Sequence, residues 1–130
     1  MEAVEVPFPM FLYQPAGQRV KNIRVHERCA PSLHAVLADF AGWSEQARTA
    51  AGLNLFFGCY NPRRMRGGTL PSLHARAAAL DFDASRNGNH THWPTAASMP
   101  LETMEVFASH GWLPAGAMWS RDAMHFQFTT

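Results

Sequence analysis

Between Pro31 and Trp43 the apolar residues Leu33, Val36, Leu37, Phe40 and Trp43 recur at helical spacing, which predicts a helix with one buried face. Pro31-Ser32 opens it, with Ser32 as the expected N-cap and Gly52 as the terminator. Other apolar segments are shorter. Leu53-Asn54-Leu55-Phe56-Phe57 reads as a buried strand leading into Cys59-Tyr60. Ala77-Ala78-Ala79-Leu80-Asp81-Phe82-Asp83 is rich in alanine, which favours helix. Its place between a Pro-, Gly- and Arg-rich loop (61–71) and the turn Asn87-Gly88-Asn89 predicts a short central strand instead. Pro100 to His110 is expected to form a second helix, with Pro100 in its first turn and Gly111 as its left-handed cap. His110 there suits the helix dipole. Met124-His125-Phe126-Gln127-Phe128 alternates like a final strand. Pro7, Pro9, Pro15 and Gly17 predict an irregular start over about residues 1–20, with one short strand around Val20–Val25. The expected class is α+β, a small antiparallel sheet packed against helices.

At 130 residues the chain is expected to be one domain, 1–130, long enough to bury a core without staples. Its 47% apolar and 16% charged residues are those of a soluble, core-forming protein. A net charge of +1 supplies no field for bulk attraction to nucleic acid or an anionic membrane, so neither is expected as a partner. Arg63, Arg64 and Arg66 read as a solvated loop cluster. Cys29 and Cys59 are either a pair across the fold or buried thiols. The first residues, Met-Glu-Ala-Val-Glu-Val-Pro, carry no basic or long apolar stretch, so no signal peptide is expected. No segment has the roughly 18 apolar residues of a spanning helix.

The residues with metal chemistry are His74, Asp81 and His125. A catalytic zinc takes three ligands from His, Asp, Glu or Cys and keeps one position open. His74 at the end of the loop and Asp81 in the following strand can fold onto one metal, and His125 in the last strand can complete the set. Asp122, three residues before His125, is placed to act as general base. The helical His-Glu-x-x-His motif is absent. His90 and His92, one residue apart, share a face if extended, but a polar loop accounts for them better. His26 and His34 are expected at the surface, and Phe40, Trp43, Phe56, Phe57 and Phe107 in the core. Trp112 and Trp119 are core residues or cleft walls.

Ser72-Leu73-His74 through Asp81, then Trp119 and Asp122-Ala123-Met124-His125-Phe126, resembles the zinc D-alanyl-D-alanine carboxypeptidases and phage L-alanyl-D-glutamate endopeptidases. These share a fold with lysostaphin and the hedgehog signalling domain. The family pattern is Ser-x-His, a short stretch, Asp, and later Glu or Asp-x-x-His-Phe. The resemblance covers about residues 20–130. It also takes in Gly58-Cys59-Tyr60-Asn61-Pro62-Arg63 before the first ligand and His110-Gly111-Trp112 at the helix exit.

By this resemblance the chain is expected to hold one zinc ion on His74, Asp81 and His125, with Asp122 as catalytic base. Arg63 would stabilise the oxyanion or hold a substrate carboxylate, with Arg64 as the alternative one register away. Ser72 would orient a ligand or the substrate, and Trp119 would line the cleft. Two departures stand out. Ala75-Arg76-Ala77-Ala78 replaces the family's glycine after the first histidine, and Leu113-Pro114-Ala115-Gly116-Ala117-Met118 replaces a tryptophan- and glycine-bearing stretch.

The expected activity is hydrolysis of an amide bond in a peptidoglycan stem peptide. The aspartate base is more like the endopeptidase branch, which implies a phage-type lysis enzyme cutting L-Ala-D-Glu. The alternatives are a D-Ala-D-Ala carboxypeptidase and a zinc-containing binding module without catalysis. A monomer is expected, made in the host cytoplasm and acting on the wall after a membrane-permeabilising partner releases it.

Overall fold

The computed structural model describes residues 1–13, 15–58, 79–83, 86–88 and 90–128. The fold is α+β. In chain order it runs through strands β1 (Glu2–Glu5), β2 (Phe11–Leu12) and β3 (Asn22–Val25), then helices α1 (Ala30–Ala41) and α2 (Glu45–Ala50). Strands β4 (Leu55–Gly58) and β5 (Ala79–Phe82), helix α3 (Leu101–Ser109), strand β6 (Trp112–Pro114), helix α4 (Ala115–Trp119) and strand β7 (His125–Phe128) complete it. Among the described residues, β1 and β3 form one antiparallel pair, and five strands form a sheet in the order β2-β4-β5-β7-β6. One pairing departs from the expected antiparallel sheet, since β2 runs parallel to β4.

The start of the chain is more regular than its prolines predict. Val4, Val6, Phe8 and Met10 are all buried, a two-residue period that carries extended chain through Pro7 and Pro9. Both prolines fall between β1 and β2, where no ladder hydrogen bond needs their missing N–H.

Helix α1 buries Leu33, Val36, Leu37 and Phe40, the face expected from their spacing. Its N-cap is Cys29 and carries no side-chain cap, with Pro31 in the first turn. Ser32 is not the cap. Its hydroxyl donates to the His110 carbonyl and accepts the indole N–H of Trp112 at 2.9 Å, tying α1 to the exit of α3. The helix also stops well before Gly52. Arg48 reaches back from α2 and donates to the carbonyls of Phe40 (3.2 Å), Ala41 (3.3 Å) and Trp43, so α1's last acceptors are satisfied by a side chain. The same guanidinium lies 5.0 Å from the Phe8 ring centroid. A new cap, Ser44, accepts the Ala47 N–H at 3.1 Å and starts α2.

Gly52 follows α2 at φ +77°, and a Cβ there would lie 2.5 Å from the Cβ of Asp83. The left-handed backbone and the close approach both call for glycine. Gly111 takes the same backbone region after α3, as expected.

An aromatic chain forms the centre of the core. Phe107 stacks on Phe126 at 4.0 Å between centroids and meets Phe40, Phe82 and Trp112 within 6.1 Å. Each such ring stabilises the fold by about 1.5–3 kcal/mol through burial. Cys29 is a buried free thiol, its pKa raised by desolvation, while Cys59 lies outside the described residues. Among the described residues no helix is long and apolar enough to cross a membrane.

Candidate active site

Strands β5 and β7 run antiparallel, with Leu80 opposite Phe126 and Asp81 opposite His125. Leu80, Phe82 and Phe126 belong to the core, so strand alternation turns Asp81 and His125 to the opposite face. There His125 Nδ1 lies 3.1 Å from Asp81 Oδ1. The other ring nitrogen, Nε2, lies 2.9 Å from Gln127 Oε1. Asp81 is only 3% exposed, and a carboxylate so deeply buried needs a cationic or hydrogen-bonding partner. Burial of the His125 ring disfavours its charged form. The hydrogen bond and charge of Asp81, the bond to Gln127 and the charge of Asp122 outweigh that, so its pKa is raised.

Asp122 reaches this region through the turn that joins α4 to β7. Ser120 and Asp122 both adopt left-handed backbone, at φ +58° and +57°. The Asp122 carbonyl accepts the His125 N–H at 2.9 Å, closing the turn directly onto the strand. The turn is held from both sides. Trp93 N–H donates to the Ser120 carbonyl (2.8 Å), Met124 N–H to the Asn87 carbonyl (3.0 Å) and Phe82 N–H to the Met124 carbonyl (2.9 Å). Ala123 is fully buried against Gly116, where an added Cβ would come within 2.9 Å of the Ala123 methyl.

Asn87, expected only as a turn residue, is a buried hub. Its Oδ1 accepts the N–H groups of Ser98 and Met99 at 2.8 Å, and its Nδ2 donates to the Asp83 carbonyl and Ser98 Oγ at 3.2 Å. This ties Ser98 and Met99 to Asn87, whose backbone carbonyl in turn accepts the Met124 N–H beside the turn that carries Asp122.

The Trp119 ring stacks over His125 at 6.4 Å and 24°, with the residue 47% exposed. Trp112 is a core residue, since it is 1% exposed, packs on Phe107 and Phe128, and donates its N–H to Ser32. His90 and His92 are not buried, and His92 Nδ1 lies 2.7 Å from Thr95 Oγ1. His110 pairs through Nε2 with Asp39 Oδ2 at 2.8 Å, linking α3 to α1.

His74, Ser72, Arg63 and Arg64 lie outside the described residues. Among the described residues no group of three or more His, Cys, Asp or Glu side chains could hold a metal ion. The two donors that are described fit one. Zinc–nitrogen and zinc–oxygen bonds of roughly 2.1 Å at a tetrahedral angle put two donor atoms about 3.4 Å apart. Nδ1 of His125 and Oδ1 of Asp81 stand 3.1 Å apart, on neighbouring strands. Gln127 is not among the residues the motif singles out, yet alternation along β7 puts it on the same face as His125.

Residues 66–128 match the model of a family described as D-alanyl-D-alanine carboxypeptidase, a span that includes His74, Asp81, Asp122 and His125. No curated protein and no solved structure matches the chain. The match suggests a peptidase without selecting a branch of that family.

Proposed function

We propose that the chain is a zinc-dependent peptidoglycan peptidase that hydrolyses an amide bond in wall stem peptides, by preference the L-Ala-D-Glu bond of a phage-type endopeptidase. The observation that carries this reading is the Asp81–His125 pair, 3.1 Å apart, with Asp122 hydrogen-bonded through its carbonyl to the same histidine. His74, Asp81 and His125 are the proposed ligands of one zinc ion. When bound, zinc supplies a Lewis acid for the scissile carbonyl and lowers the pKa of the attacking water.

Asp122 takes up the proton of that water and passes it to the leaving amine. A purely structural metal would have no use for a carboxylate at that position. Arg63, or Arg64 if the loop register differs by one, neutralises the developing oxyanion or binds a substrate carboxylate. Ser72 orients a ligand or the substrate, and Trp119 supplies a wall for the stem peptide. The enzyme acts on the wall after release from the cytoplasm in which it is made. The aspartate base favours the endopeptidase branch over the D-Ala-D-Ala carboxypeptidase.

Digestion of purified peptidoglycan, with mass analysis of the products, tests this directly. The expected product carries a new amino-terminal D-glutamate, disappears with a chelator and returns with zinc. Release of free D-alanine would instead establish the carboxypeptidase branch. Intact wall after incubation with zinc-loaded protein would reject an enzyme and leave a binding domain.

A further inference from the structure

We propose that Gln127 is a positioning residue for His125: its side-chain carbonyl holds the Nε2 proton, so that Nδ1 is left to give its lone pair to a cation shared with Asp81 Oδ1. This rests on the reading of Asp81 and His125 as metal ligands. An imidazole binds a cation through one nitrogen only when the proton sits on the other, and the partner of that second nitrogen decides the matter. Here the partner comes from the same strand. Residues 125 and 127 of β7 share a face, and the Nε2–Oε1 separation is 2.9 Å. The cross-strand neighbours suit the glutamine to this task. Ala79, fully buried, stands opposite it on β5, and Leu113 stands opposite it on β6, so neither flanking side chain competes for its amide.

The residue type also fits. Asp81 and Asp122 already place negative charge around the ring. A glutamine adds an acceptor without a third carboxylate and keeps that acceptor at every pH. The reversed arrangement, with the amide NH2 donating to Nε2, would leave the proton on Nδ1 against Asp81 and oppose a cation there.

The test uses the full chain with zinc as probe. Zinc affinity is measured by chelator competition, and the protonated ring nitrogen of His125 by nitrogen-15 NMR of the zinc-loaded protein. Zinc-loaded wild type should carry its proton on Nε2. Gln127→Met, nearly the same shape but without the carbonyl, should bind zinc about 10–100-fold more weakly, with its circular dichroism unchanged. Gln127→Glu, which restores an acceptor, should bind zinc within a few-fold of wild type. Equal affinity for Gln127→Met and wild type, a proton on Nδ1 in zinc-loaded wild type, or equal weakening by both substitutions would each overturn the role of Gln127 while leaving Asp81 in place. A wild-type chain that binds no zinc would overturn the ligand reading itself, and this inference with it.

Discussion

Replacing Asp122 by asparagine and by alanine separates its chemistry from its backbone. Its φ of +57° lies in the left-handed region, which aspartate and asparagine tolerate through their short polar side chains and alanine does not. Asp122→Asn should therefore leave stability unchanged, whereas Asp122→Ala should cost about 1 kcal/mol. For a chain of 130 residues, an unfolding entropy of about 2.1 cal/mol/K per residue turns that into a fall in melting temperature of about 4 °C. The His125 N–H to Asp122 carbonyl bond involves only backbone and survives both changes. Catalysis should respond differently. A general base contributes about 10²–10⁴ in rate, or about 2.7–5.5 kcal/mol of barrier, and both variants lose it. The assays are wall-digestion rate, zinc content and thermal melting on the three proteins. Full activity in Asp122→Asn would refute the base assignment, and equal melting temperatures for the two variants would refute the backbone argument.

Three further outcomes are expected. Gly52→Ala should lower the melting temperature more than Gly17→Ala, because both sit at positive φ but only Gly52 faces an atom, the Asp83 Cβ, at 2.5 Å; equal losses in calorimetry would remove the steric part. In metal-free protein the raised pKa of His125 contributes stability that is fully present below the ordinary imidazole value and lost as pH rises through the folded-state value. Melting temperature should fall across that window and the fall should shrink in Asp81→Asn, while zinc affinity should rise with pH because the ion replaces a proton; a flat affinity profile would contradict this. Arg63→Ala should slow wall cleavage while leaving zinc content unchanged, and a selective loss with Arg64→Ala would move the substrate-facing role by one residue.

Much of the site's frame was legible because it depends on local alternation. Leu80 and Phe126 are apolar neighbours of Asp81 and His125, so strand period alone puts the two polar side chains on one face. The buried face of α1 was legible for the same reason. What was not legible depends on contacts across the fold. The end of α1 is set by Arg48 donating to carbonyls five to eight residues back, which no local pattern announces. Ser32 looks like a cap because it follows Pro31, but Trp112, eighty residues on, claims its hydroxyl. The prolines near the start obscured a period-two run that buries Val4, Val6, Phe8 and Met10. Asn87 and Gln127 carry no signal in their residue type, and only their neighbours show what they hold. His74, the first residue the motif points to, lies outside the described residues.

The face-to-face placement of Asp81 and His125 also makes the alignment of two central strands self-checking. Sliding β5 by a single residue would swing the Asp81 carboxylate into the hydrocarbon occupied by Phe82, Phe107 and Phe126, and turn Leu80 outward. An ionised group stranded there costs several kcal/mol, so mis-threaded chains are discouraged. Proofreading of the strand pair and assembly of the donor pair are then a single event.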